Sequence, residues 1–397
     1  MTPAEATRII LSRVTPVPVE QVALRLCAGR ILRQPVLAER DNPPFDRVCM
    51  DGVAIASAAF GAGTRAFHLQ ATQAAGAVPL TLASASSAVE VMTGAVMPHG
   101  TDCVIPLEEY DLSGDRLVMK PDASAESWRN VQRRGCDSQP GVPMLNPGTR
   151  LGAAEVAVVA SAGLATVDVS TEPRISVIST GDELVEPGEP IAGHQVRRSN
   201  AYCVAAALQL HGFSAVDDEH LRDDEALMRQ RLAVLLDAHD VLVLSGGISK
   251  GKFDFVPSAL KFLGVEEVFT QVAQRPGRPM WFGAGPRGQL VFGLPGNPVS
   301  TLICLVRYVL PALRAAMLCQ ASPAEYVAFD QPLSGRKMTY FMPVALRNDA
   351  ASPGLATARP PQGSGDFLAL AGTQGFAELP PRPEGYPSGF VAEFCRW

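Results

Sequence analysis

Five acidic residues stand in turns built for more than connection: Asp51, Asp137, Glu183, Asp223 and Asp254. Taken one at a time, each reads as a helix cap or a turn residue. Their company changes the reading. Asp51 precedes Gly52 after the rigid entry Asn42-Pro43-Pro44-Phe45, Glu183 follows Thr180-Gly181, and Asp254 follows Ser245-Gly246-Gly247-Ile248-Ser249. Carboxylates so placed can hold a divalent cation or position and deprotonate an attacking oxygen. Arg275 and Arg278, flanking Pro276-Gly277, can clamp an oxyanion through planar forks. Cys49 has no histidine near it in the sequence and reads as a packing group, and His211 and His220 lack metal-ligand spacing.

The elements that must position these residues alternate between strand and helix. Asp240 to Leu244 is a continuous aliphatic run, the pattern of a strand covered on both faces. Ser245-Gly246-Gly247 then turns sharply and leaves peptide N–H groups facing outward, which suits a phosphate. Asp254 falls near the start of the next helix, from about Pro257 to Leu263, where it favours the dipole or holds a metal. Upstream, Arg174–Ser179 predicts a first strand and Asn200–His211 a helix. Phe213–Val216 predicts a second strand, and Asp223-Asp224 cap a helix running to about Leu236. Downstream, Gln271 to Pro279 leads to a strand at Gln289-Leu-Val-Phe, and Gly293-Leu-Pro295-Gly296-Asn297-Pro298-Val-Ser300 opens a last long helix. This alternation predicts a doubly wound parallel sheet, whose ligands sit outside the C-terminal strand ends.

Around that domain the pattern differs. Residues 5–14 predict an amphipathic helix, Val19–Leu26 a shorter one, and Glu155–Gly163 a helix with a glycine stop. Short strands rich in Ala, Val and Gly from about Val53 to Met119 predict an inserted β-rich domain. Beyond Ala321, strands at Tyr326–Phe329, Tyr340–Leu346 and Phe390–Phe394 predict a small C-terminal β-barrel-like domain. The expected division is a discontinuous helical and extended N-terminal domain (1–44 with 138–172), the insertion (45–137), the α/β domain (173–318) and the C-terminal domain (319–397).

A chain of 397 residues, 47% hydrophobic and 19% charged, is multidomain and globular. With a formal charge of -6 and no run of Lys and Arg, a nucleic-acid partner is not expected. No apolar stretch is expected to cross a bilayer, and no membrane association is foreseen. Eight scattered cysteines without a C-x-x-C pair point to a reducing cytoplasm and away from a zinc cage or disulfide framework.

In order along the chain, the motifs resemble those of the molybdopterin molybdenumtransferases. The resemblance is carried by Pro43-Pro44-Phe45-Asp46 to Met50-Asp51-Gly52, Met92-Thr93-Gly94-Ala95, and Arg133-Arg134-Gly135 with Asp137. It continues through Ser179-Thr180-Gly181-Asp182-Glu183-Leu184, Ser245-Gly246-Gly247 to Asp254, Pro276-Gly277-Arg278-Pro279 and Gly293-Leu-Pro295-Gly296-Asn297-Pro298. It implies a Mg²⁺-dependent enzyme that takes adenylylated molybdopterin and molybdate and releases AMP and molybdenum cofactor. Thr180, Gly181, Ser245, Gly246, Gly247, Ser249, Pro295, Gly296, Asn297, Pro298 and Ser300 would form the pterin and phosphate cradle. Arg275 and Arg278, with Pro276 and Gly277, would face the oxyanion, and Asp223 and Asp254 would hold the cation at the reactive end. Asp51, Thr93, Gly94, Asp137 and Glu183 would come from the other face of the cleft.

The resemblance also implies an elongated homodimer in which the insertion of one chain completes a site on its partner. Contacts with a molybdopterin adenylyltransferase and with apo-molybdoenzymes would follow. Several positions depart from the family pattern: Arg47-Val48-Cys49 replaces small polar residues, arginines 275 and 278 replace lysines, Pro343 replaces an Arg, and Leu368-Ala369 replaces serines. The competing readings are an adenylyltransferase, which shares only the α/β domain, a non-catalytic molybdopterin scaffold or carrier, and an insertase dedicated to one molybdoenzyme.

Overall fold

The computed structural model describes residues 1–248, 255–349, 352–363 and 365–397. Ser249 and Asp254 lie outside the described residues.

The chain opens with helix Pro3–Leu11, whose start is fixed by a reciprocal cap. Glu5 N donates to Thr2 Oγ1 at 3.3 Å and Thr2 N to the Glu5 carboxylate at 2.7 Å. Ala6 and Ile10 on its inner face join the core of the α/β domain. Val19–Leu26 is not the helix expected. Val19–Ala23 is a strand paired antiparallel with Thr166–Ser170, and Leu24–Leu26 is a single tight turn. Two valines favour strand, and the partner that supplies the hydrogen bonds is about 150 residues away, beyond any local window. Helix Ala153–Ser161 ends before Gly163, which takes a φ of +78°.

Gly52–Ile55 is interior to a six-stranded sheet in the order 103–106, 52–55, 87–91, 66–73, 116–119, 110–113. Both of its faces are apolar. Val53, Ile55, Phe67, Ile105 and Leu117 pack on one side, and Val48, Ala54, Val89, Val91 and Val104 on the other. Gly52 is required by close approach, since a Cβ there would lie 2.0 Å from the Ile105 carbonyl oxygen.

The central sheet runs 216–221, 175–180, 241–245, 290–294, 279–284, 266–271. Its first four strands are parallel, and the last two are joined antiparallel, so the sheet is mixed rather than wholly parallel. The antiparallel pair Glu266–Gln271 and Pro279–Ala284 falls where the sequence suggested a connection. The second strand is Val216–Leu221 rather than Phe213–Val216. It is an edge strand carrying Asp217, Asp218 and Glu219, so it lacks the aliphatic run of a central one. Both faces of the sheet are covered. Ser199–Leu210 and the long helix contribute to one core, Glu225–Ala238 and Val256–Phe262 to the other.

The long helix spans Pro298–Ala316 with a π turn at Leu305–Val309. It is long and apolar enough to cross a bilayer, contrary to the sequence reading, yet 78% of it is buried in the protein. It is a core helix. Beyond it, strands 339–349, 352–358, 325–329, 391–396 and 375–379 close on one another as a five-stranded barrel. The 352–358 and 375–379 strands carry no strong sequence signal, being interrupted by Pro, Gly and Ala.

Candidate active site

Three neighbouring parallel strands of the central sheet end at Thr180, Ser245 and Leu294, and their loops build a cradle. Gly246 and Gly247 take φ of +93° and +64°, a region that side chains strain to adopt. A Cβ on Gly246 would lie 3.0 Å from Thr180 Oγ1, and one on Gly247 2.6 Å. Gly296 faces Gly246, whose Cα is the nearest atom to its Cβ position at 3.7 Å. Thr180 Oγ1 is buried and makes no hydrogen bond among the described residues. The amide N–H groups of Gly247, Gly296 and Asn297 likewise have no acceptor among the described residues, and a set of free donors at strand ends suits an oxyanion.

Asn200 ties this cradle together and is not apparent as a site residue in the sequence. Its Nδ2 donates to Ser245 Oγ at 2.9 Å and to the Gly296 carbonyl at 2.8 Å, spanning two loops. The available signal was a poor helix former at the second position of helix Ser199–Leu210. Pro295 O accepts from Thr301 Oγ1 at 2.6 Å, Asn297 caps the long helix through its backbone, and Pro298 takes the first helical position. Ser300 is buried and turns toward Gly277: their Cβ positions would be 3.8 Å apart.

The acids divide into two groups. At the strand ends, Gly181 has φ +132°, and the Glu183 carboxylate folds back to within 2.4 Å of where a Gly181 Cβ would sit. His220 Nε2 meets the Gly181 carbonyl at 2.8 Å, and Asp223 N donates to Asp182 Oδ1 at 3.4 Å. Asp224, not Asp223, is the helix cap, accepting from Leu227 N at 2.9 Å, while Asp223 stays half-buried beside the Asp182 turn.

The second group belongs to the inserted sheet and its flanks. Thr93 donates to Asp51 Oδ1 twice, from its hydroxyl and from its amide, each at 2.7 Å. These bonds, the hydroxyl first, hold the Asp51 carboxyl below the usual carboxylate range. Gly94 keeps the Thr93 turn in register by donating to Val48 O at 2.9 Å with φ +86°. Asp137 is held at both oxygens by Gln132 Nε2, at 3.0 and 2.9 Å, and Arg47 donates to the other end of the same amide. Arg47–Val48 pairs with Val131–Gln132, so one short ladder sits between the two acids. This group joins the rest through a strap: Gly135 N to Pro43 O and Asp137 N to Asn42 O, each 2.9 Å, and Arg134 to Asp41 at 2.5 Å.

Arg275 and Arg278 are exposed on a loop beside the long helix, with Pro276 and buried Gly277 between them. Among the described residues, no three His, Cys, Asp or Glu side chains converge as a metal site. The structure thus gathers Thr180, Gly181, Glu183, Asp223, Ser245, Gly246, Gly247, Pro295, Gly296 and Asn297 at one sheet's strand ends. It keeps Asp51, Thr93, Gly94 and Asp137 apart from them, on and around a different sheet of the same chain, whereas Glu183, expected with that group, instead follows strand 175–180 because it lies in the turn at Gly181.

A molybdopterin molybdenumtransferase from a Synechocystis species is 39% identical over 372 residues, covering 93% of this chain and 93% of its own. The chain belongs to the molybdopterin molybdenumtransferase family. Family models agree along its length: the MoeA N-terminal region (domain I and II) matches 1–163, a probable molybdopterin binding domain 176–315, and the MoeA C-terminal region (domain IV) 330–397. A molybdopterin molybdenumtransferase of Haemophilus influenzae is 31% identical over 306 residues, 75% of this chain and 73% of its own. The crystal structure of the molybdopterin biosynthesis moeA protein from Pyrococcus horikoshii OT3 matches with a TM-score of 0.84 at 25% identity, covering 100% of both chains. The molybdopterin molybdenumtransferase fold therefore accounts for the whole chain, barrel included.

Proposed function

We propose that this protein inserts molybdate into adenylylated molybdopterin and releases AMP and molybdenum cofactor. The reading is carried by the 39% identity over 93% of both lengths to a molybdopterin molybdenumtransferase. The glycine cradle with its free amide donors supports it, because every substrate in this reaction is anionic. In this scheme the loops at Gly247 and Gly296 take phosphate oxygens. Arg275 and Arg278, both exposed, supply positive charge.

The Asp51 carboxyl, held anionic by Thr93, is a poor proton acceptor near neutral pH. Its second oxygen remains open to orient a ligand O–H or N–H, so Asp51 serves as a positioning charge. Gln132 Nε2 fixes the orientation of Asp137 by donating to both of its oxygens.

Mg²⁺ fits the donor chemistry of the strand ends. Asp182, Glu183 and Asp223 offer hard carboxylate oxygens in two adjacent turns, although among the described residues no three such side chains converge as a closed site. Asp223 would hold the ion together with Asp254. When bound, the cation withdraws charge from the phosphate that leaves.

A homodimer is part of the same proposal, with Asp51, Thr93 and Asp137 of one subunit completing the cradle of the other. It is supported by the placement of the two groups on separate sheets joined through the Asn42-Pro43 strap. Substrate receipt from an adenylyltransferase, delivery to apo-molybdoenzymes and a cytoplasmic location complete the reading, and eight free cysteines suit a reducing compartment.

The test is AMP release by the pure protein given adenylylated molybdopterin, Mg²⁺ and a molybdate titration, with tungstate and EDTA in parallel. Saturable, molybdate-dependent and EDTA-sensitive release is expected. Tight molybdopterin binding without release would overturn the enzyme in favour of a carrier.

A further inference from the structure

Gln274 is fully buried, and both ends of its amide are engaged. Tyr308 donates its hydroxyl to Gln274 Oε1, while Nε2 donates to the Gly277 carbonyl at 3.0 Å and lies 3.5 Å from Cys304 Sγ. The orientation is fixed, because a carbonyl only accepts and Nε2 must face it. Tyr308 reaches this point from the π turn Leu305–Val309, a kind of helical irregularity that recurs at functional sites. The main chain is pinned as well. Gln274 and Arg275 pair with Thr339 and Tyr340 of the barrel, and Val272 N donates to Arg278 O at 3.0 Å. Gly277, at φ +82°, presses so close to the long helix that a Cβ would lie 2.6 Å from Cys304 Sγ.

The loop from Gln274 to Arg278 is therefore stapled from inside, while Arg275 and Arg278 themselves are exposed. Such an arrangement spends buried hydrogen bonds on the placement of two surface cations. Taking the molybdenum-transfer reading, we propose that Tyr308 and Gln274 are positioning residues that hold Arg275 and Arg278 at the spacing needed to clamp the phosphate of adenylylated molybdopterin. Neither touches the substrate; both act through the arginines. Because a guanidinium donates in a rigid planar fork, its effect on a phosphate depends on where its backbone is held.

The experiment compares the dissociation constant of adenylylated molybdopterin, followed by pterin fluorescence, with the thermal midpoint and with AMP release. Tyr308→Phe removes one hydroxyl and is expected to raise the dissociation constant about tenfold. In an Arg275→Ala/Arg278→Ala background the same change should add nothing. Gln274→Met serves as a second variant of similar volume. The double variant Tyr308→Phe/Gln274→Met, which also removes the hydroxyl that Gln274→Met orphans but leaves the Gly277 carbonyl without its donor, should recover part of the thermal stability lost in Gln274→Met without recovering affinity. An unchanged dissociation constant in both single variants would overturn the proposal. So would an equal loss with and without the arginines, since that would mark a general packing effect. Wild-type protein that binds but releases no AMP would overturn the transferase reading alone, because affinity is read independently of turnover.

Discussion

Asp51 and Thr93 are 42 positions apart, yet one short turn meets the other through two hydrogen bonds to a single carboxylate oxygen. The depressed Asp51 pKa means that these bonds contribute stability above the ordinary carboxylate range and lose it as pH falls through the folded value. Thr93→Val keeps the shape and the amide bond and removes the hydroxyl. The Asp51 titration, followed by carbon NMR of its carboxyl, should then move up toward the usual range, and the acid limb of activity should follow. A midpoint identical to wild type would sever the two residues. Each partner was visible in the sequence as an acid or threonine beside a glycine. Their pairing was not, because proximity across 42 residues is set by the inserted sheet. Asn200 was hidden for the same reason: its value lies in joining Ser245 to Gly296, two loops that follow different strands.

At the scale of elements, the glycines of the cradle are of two kinds, and substitution separates them. Gly247→Ala meets both a left-handed backbone and contacts of 2.6 Å to Thr180 Oγ1 and 2.9 Å to Val256 Cγ2. It should cost roughly 1–3 kcal/mol of stability, measurable by chemical denaturation, along with ligand affinity. Gly296→Ala meets nothing nearer than 3.7 Å and is not in the left-handed region. It should fold normally and weaken only ligand binding, so equal destabilisation by the two changes would argue against this account. The parallel strands 175–180, 241–245 and 290–294 were legible because burial on both faces leaves short, mostly apolar runs, continuous from Val241 to Leu244. The Val19–Ala23 strand and the 279–284 and 266–271 pair were not, since their hydrogen-bond partners, rather than their own patterning, decide their form.

On the scale of the whole molecule, the long helix is the shared wall of three regions. Arg307, in its π turn, meets Glu378 of the barrel at 2.8 Å and Thr7 of the first helix at 2.8 Å, with side chains only 17% and 20% exposed in the ion pair. Glu378→Ala leaves that cation without its counter-charge and should cost about 3 kcal/mol. It should also release the barrel to unfold ahead of the α/β domain, seen as a second transition on denaturation; a single unchanged transition would show that the bond couples nothing.

The separation of the two acidic groups has a further consequence, one for inheritance. With the site shared between subunits, as proposed, an allele damaged at Asp51 and another damaged at Gly247 would each fail alone. Expressed together, they would assemble mixed dimers in which one of the two sites is built wholly from intact faces. Two alleles damaged on the same face would have no such escape. Loss-of-function mutations in this gene would therefore fall into two complementation classes, and the border between them would follow the strap at Asn42 and Pro43 rather than any gap in the genetic map.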